Sequence, residues 1–163
     1  MNYSILIGSR LGLNKQEMEH LRLAAILHDI GKIGVRDHIL LKESPLDNSE
    51  LEKMNLHSVY GGEILSRIRQ LKDIVPIVRG HHERCDGNGY PDGFKKDEIL
   101  LSTRILSVAD TLDAMTTDRP YRKGLSFQKA ADELKRCSGT QFDPVVVDAL
   151  LVAFSEGELS TSS

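Results

Sequence analysis

Residues 13–32, LNKQEMEHLRLAAILHDIGK, carry the reading on which the fold turns. An Asn side chain accepts hydrogen bonds from the first free amides of a helix, and Glu three residues later returns the favour, so Asn14 and Glu17 make a capping box. Met18, Leu21, Leu23, Ala24, Ala25 and Leu27 then recur at helical spacing, and Gly31 marks the end. The stretch predicts an amphipathic helix that delivers an adjacent His28 and Asp29 at its far end.

The same reading extends outward. Asp47 or Asn48 can cap a helix carrying Leu51, Met54, Val59, Ile64, Leu65 and Ile68, with His57 in its middle and a bend expected at Gly61-Gly62. Asp73 to Glu83 reads as helix in spite of its β-branched run, because Pro76 argues against a strand, and it leads into His81-His82. Thr103 to Met115 is amphipathic. Ser126 caps a helix through Arg136, and Asp143-Pro144 opens one through about Phe154. No alternating strand series and no repeat is present, so the expected architecture is all-α. Arg84 to Leu100, rich in glycine, is one long loop of the kind that carries function.

Length and composition agree with one domain. The chain has 163 residues, 40% hydrophobic and 28% charged, enough for a packed core and without an apolar tract that could span a membrane. The expected division is a domain over 1–154 and a polar tail over 155–163. A net charge of −3 excludes broad binding to a nucleic-acid polymer, although bound cations can reverse the sign of a local site. Cys85 and Cys137 lie far apart in no CxxC pattern, and the N-terminus has no secretory pattern, so the expected compartment is the cytoplasm.

Four of the six histidines, with two carboxylates, supply the chemistry. His28, Asp29, His57, His81, His82 and Asp110 are metal-ligand types spread over four segments. Imidazole and carboxylate suit Zn, Fe, Mn or Ni, and adjacent His-Asp and His-His pairs can serve neighbouring ions. A metal-dependent hydrolase site is the expectation.

The runs His28-Asp29-Ile30-Gly31-Lys32, His81-His82-Glu83-Arg84-Cys85-Asp86-Gly87-Asn88-Gly89-Tyr90-Pro91 and Asp110-Thr111-Leu112-Asp113-Ala114-Met115-Thr116-Thr117-Asp118-Arg119-Pro120-Tyr121-Arg122 closely resemble the HD-GYP family, a branch of the HD-domain metal phosphohydrolases. The resemblance spans about Leu13 to Phe154. It implies a helical bundle around a central site for two or three ions, Fe or Mn first and Zn or Ni as alternatives. It also implies hydrolysis of cyclic di-GMP to pGpG or onward to GMP.

By the same resemblance the six residues are the metal ligands, with Asp29 as the bridging and catalytic carboxylate. Lys32, four residues after His28, would share its helix face and neutralise a phosphate oxygen. Arg119 and Arg122 would grip phosphate or guanine, with Lys123 adding a point charge and Asp113 supporting Asp110. Tyr90 matches a position linked to substrate contact and to diguanylate cyclase partners. His20, His38 and Asp37 match no ligand position of the two-ion set.

Two departures stand out. The family's N-terminal helix, with its additional His or Glu ligand, is shortened here, and Cys85 replaces a common aromatic. Family members usually follow a sensory domain, so such a domain or a cyclase is the expected partner. A degenerate module that binds a nucleotide without turnover, or a phosphohydrolase of another nucleotide, is the alternative.

Overall fold

The computed structural model describes residues 2–118 and 123–158. Among them, nine α-helices run in the order α1 (Asn2–Arg10), α2 (Lys15–Leu27), α3 (Asp37–Leu40), α4 (Asn48–Asn55), α5 (His57–Ser66), α6 (Val75–Arg79), α7 (Leu101–Thr116), α8 (Phe127–Arg136) and α9 (Pro144–Ser155). Shorter 3-10 turns occupy Ile30–Gly34, Arg69–Ile74 and Lys96–Glu98. The only β pairing among the described residues is two isolated bridges, Asp86 with Lys95 and Ser138 with Phe142.

The caps read from sequence are formed. Asn14 accepts from the Gln16 and Glu17 amides at 2.9 and 3.0 Å, and Glu17 accepts from the Asn14 amide at 2.8 Å. Asp47 and Glu50 repeat the box at the start of α4. Ser126 caps α8, and Asp143 caps α9 with Pro144 in its first turn.

Helix α7 is the axis of the core. Ile105, Leu106, Val108, Ala109 and Leu112 are buried on it, and α1, α2, α6, α8 and α9 pack around it. Leu21, Val78, Leu134, Val146 and Leu150 complete a single apolar cluster, closed at one end by Phe127 stacked on Phe154 at 4.0 Å. Glu156 and Glu158, beyond α9, both pair with Arg10 of α1.

Three expected elements differ. The first helix stops at Leu27, not Gly31, because the chain must tighten there to lie on α5. A Cβ at Gly31 would sit 1.8 Å from the His57 carbonyl oxygen and 2.4 Å from the Gly61 nitrogen, so only a glycine backbone approaches this closely. The long helix expected through His57 is two helices joined at Leu56. The break falls there and not at Gly61-Gly62, which stay helical because the missing side chains let α5 pack against Ile30–Gly34 and α6. The Asp73–Glu83 helix shrinks to Val75–Arg79, leaving both histidines just beyond its end.

Candidate metal centre

Each of three helix ends places a histidine beside a carbonyl of the last turn. The last four carbonyls of any α-helix lack intrahelical donors. His28 Nδ1 donates to the Ala25 carbonyl at 3.0 Å, His57 Nδ1 to Met54 at 2.8 Å and His81 Nδ1 to Val78 at 2.6 Å. All three are bonds back to residue i−3 in the last turn of α2, α4 and α6. A carbonyl can only accept, so each Nδ1 carries the proton and each neutral ring presents an unprotonated Nε2.

Those Nε2 atoms converge. His57 Nε2 lies 3.4 Å from His81 Nε2 and 3.2 Å from His82 Nε2. His28 Nε2 lies 3.4 Å from Asp110 Oδ1 and 3.6 Å from Asp29 Oδ2, while the other Asp29 oxygen is 3.6 Å from His57 Nε2. The two oxygens of Asp29 therefore face different histidines. Ligand atoms of His57, His81 and His82 all fall within 4.8 Å of one another. His57 and His81 are 2% and 1% exposed.

The electrostatics follow from that burial. His81 is pushed down to about 4 by desolvation, and His82 to about 3 by desolvation and by the neighbouring His81 and His57. Burial also lowers His57, against the pull of the Met54 carbonyl and Asp29. On Asp110, burial is outweighed by the hydrogen bond to His28, which holds the carboxyl at about 2. Asp29 is lowered in the same manner, burial being overcome by Lys32 and His28, and His28 is raised because Asp110 and Asp29 outweigh its desolvation. His57, His81 and His82 are thus neutral imidazoles, while His28, with Nδ1 on a carbonyl and Nε2 against two carboxylates, is drawn toward its protonated form until a cation replaces that proton. Buried lone pairs that face one another with no proton between them fit a divalent cation well, and the N/O donor set accepts Fe, Mn, Zn or Ni.

Lys32 does not share a helix face with His28, since α2 ends before it. It sits on the 3-10 turn, where its Nζ meets Asp29 Oδ2 at 2.6 Å with both side chains about two-fifths exposed. Asp113 is exposed and lines, with Ser4, Ala25, His28 and Asp110, a small cavity of about 40 Å³ beside the cluster. Tyr90 stacks on His82 with ring centroids 4.8 Å apart, and burial with the charges of Asp110 and Asp29 raises its hydroxyl. Lys123 is exposed. Arg119 and Arg122 lie outside the described residues. His20 stands 3.9 Å from Asp73, and His38 and Asp37 are exposed on α3, so none of the three joins the cluster.

The long loop is tied to the bundle from both ends. Arg84 grips Asp86 and donates to Gln141, while the Cys85 and Asp86 amides donate to the Gln141 and Thr140 carbonyls. Cys85 is half-buried, its thiol raised by desolvation and by the charge of Asp143; among the described residues it belongs to that packing, not to the histidines. Asp143, 1% exposed, holds Lys96 and Arg104. Sequence reasoning gave Glu83 no role. In the structure its buried carboxylate accepts from the amides of Asp92, Gly93 and Phe94, and only its place directly after His81-His82 hinted at importance.

Comparison with known proteins agrees with this geometry. Residues 1–146 match the HD domain family. A cyclic di-GMP phosphodiesterase of Thermotoga maritima is 42% identical over 147 residues, which are 89% of this chain and 40% of that protein. A 3'3'-cGAMP-specific phosphodiesterase of Vibrio cholerae is 39% identical over 94% of this chain and 33% of its own length. A cyclic di-GMP phosphodiesterase response regulator of Xanthomonas campestris is 39% identical over 97% and 44%. The chain thus spans less than half the length of these relatives. Among solved structures, a cyclic GMP-AMP specific phosphodiesterase of V. cholerae superposes with a TM-score of 0.75 at 18% identity, covering 96% of this chain and 42% of that one. An HD-GYP-type protein of Bdellovibrio bacteriovorus gives 0.74 at 19% identity, over 94% and 49%. With the His-Asp pair, the convergent histidines and the all-helical bundle in place, the chain belongs to the HD-domain family.

Proposed function

We propose that this domain is a metal-dependent phosphodiesterase that hydrolyses cyclic di-GMP. The observation that carries the reading is that three rings are each aimed by a backbone carbonyl, with the Nε2 atoms of His28 and His57 facing different oxygens of Asp29 and that of His81 facing His57. In this reading His28, Asp29, His57, His81, His82 and Asp110 hold two divalent ions, Fe or Mn by preference. Such ions supply an activated water near neutral pH and stabilise charge on the phosphate oxygens.

The chain's own residues do the rest. The carbonyl hooks keep the rings in one tautomer and one orientation. Asp29 offers one oxygen to each half of the cluster, as a shared carboxylate requires, and Lys32 holds it while extending a half-exposed ammonium toward a phosphate oxygen. Tyr90 presents an aromatic surface next to His82 on which a base can rest. Arg119, Arg122 and Lys123 are proposed phosphate and guanine contacts, and Asp113 a support for Asp110. A diguanylate cyclase or sensory domain is the proposed partner.

A second substrate has specific support, since relatives of similar identity carry names specific for 3'3'-cGAMP. Anaerobic purification with metal quantification, followed by chromatography after incubation with each cyclic dinucleotide and Fe(II) or Mn(II), tests both. About two ions per chain with linear product from cyclic di-GMP is the expected result. Product from 3'3'-cGAMP alone changes the substrate. Metal without product from either replaces the enzyme with a nucleotide-binding module or a hydrolase of another nucleotide.

A further inference from the structure

Three of the four clustered histidines are oriented by a backbone carbonyl, and His82 is not. Among the described residues the one hydrogen-bond contact of its ring is Nε2 to His57 Nε2. What lies against its ring is His81 on one side, at 3.9 Å between centroids, and Tyr90, stacked at 4.8 Å and 30°. Tyr90 therefore restrains from the ring face a histidine that has no carbonyl at its edge, and whatever fixes Tyr90 also fixes His82.

The loop that carries Tyr90 is fixed by Glu83. This carboxylate is 3% exposed and forms no ion pair among the described residues. Its Oε1 accepts from the Asp92 and Gly93 amides at 2.7 and 3.1 Å, and its Oε2 from the Phe94 amide at 3.0 Å. Four residues earlier, at the end of α6, Arg79 holds the Asp92 side chain through two bonds of 2.8 and 2.7 Å. The Tyr90 amide donates to the His82 carbonyl at 3.3 Å. A Cβ on Gly89 would stand 2.4 Å from the Arg84 nitrogen and 2.6 Å from the Glu83 Cα, so the loop folds directly back onto the histidine-bearing segment. Three consecutive amides need three acceptor lone pairs at one point, and a carboxylate supplies them where an amide side chain would turn a donor toward Phe94.

We propose that Glu83 is a positioning residue: by clasping the backbone of residues 92–94 it holds the Tyr90 ring against His82 and so sets the orientation of the one clustered histidine that lacks a carbonyl hook. The effect on substrate rests on the phosphodiesterase reading; the effect on the ring does not.

Imidazole resonances of the metal-free protein test it, because a stacked Tyr shifts the ring protons of His82. Tyr90→Leu defines the unshifted position. Glu83→Ala is expected to move His82 most of the way to it, to speed amide exchange at 92–94 at least tenfold and to leave His28, His57 and His81 in place. Glu83→Gln keeps the volume and the Oε1 bonds, so it folds where alanine does not and gives the same change at smaller size, with exchange rising at Phe94. Mn(II) affinity is expected to fall about tenfold in Glu83→Ala, the usual size for a group that orients a ligand. If wild type turns over cyclic di-GMP, KM rises more than kcat falls. Accelerated loop exchange in either variant with an unmoved His82 signal overturns the proposal. Absence of turnover in wild type counts against the phosphodiesterase reading alone.

Discussion

His57 Nε2 lies 3.4 Å from His81 Nε2 although both rings spend their only neutral-state proton on a carbonyl at Nδ1. Two buried lone pairs face each other, an arrangement that a cation stabilises and nothing else among the described residues resolves. Divalent ion is therefore expected to stabilise the fold. At a free concentration a thousandfold above Kd, the gain is about 4 kcal/mol, seen as a rise in melting temperature that chelator reverses. His81→Ala is expected to remove most of that rise. An equal rise in the variant would place the ion elsewhere.

Acid should weaken the metal-free protein before Asp110 titrates. His81 has a folded value near 4 against about 6.5 when unfolded. Between these values only the unfolded chain binds the proton, so the stability tied to this residue is intact above pH 6.5 and is lost as pH falls toward 4. The span amounts to about 3 kcal/mol. Asp110, held at about 2, keeps its contribution until still lower pH. Urea midpoints at pH 7 and 4.5 measure the slope, and His81→Gln should flatten it.

Lys32 and Asp29 are both partly exposed, so their pair contributes less than about 1 kcal/mol to folding. Its proposed importance is to catalysis. Lys32→Ala is expected to lower turnover about a hundredfold with little change in melting temperature, the scale found when one charge-stabilising donor is lost. Steady-state kinetics beside thermal melts separate the two, and unchanged kcat would remove Lys32 from the site.

Gly31→Ala tests the close contact on which the cluster depends. The added Cβ would overlap the His57 carbonyl and the Gly61 amide, forcing the 3-10 turn off α5. A loss of about 3 kcal/mol is expected by chemical denaturation, together with weaker metal binding, since Asp29 and His57 sit on the two elements pushed apart.

Much of this was legible beforehand for local reasons. Asn14 with Glu17, Asp47 as one of two candidates, Ser126 and Asp143-Pro144 start helices through bonds within a few residues of chain, so composition and spacing suffice to read them. Helix ends were misread where packing between distant segments chose them. Gly31 meets α5, and no spacing rule contains that contact.

What the sequence alone determined is the helical stretches from α2 onward apart from the short α3, the core stripe of α7 and the identity of the six clustered residues, because these rest on side-chain type and period. Only the tertiary structure decided how the cluster works. It ended α2 and α6 a few residues short and broke the long helix after α4, so that the last-turn carbonyls of Ala25, Met54 and Val78 became hooks for His28, His57 and His81. It moved Lys32 from a shared helix face onto Asp29, and it turned Glu83 into the acceptor for three amides of a loop nine to eleven residues away. The physical reason is common to all of these. Orphaned backbone groups must find partners, and which partner lies within reach is a property of the folded chain.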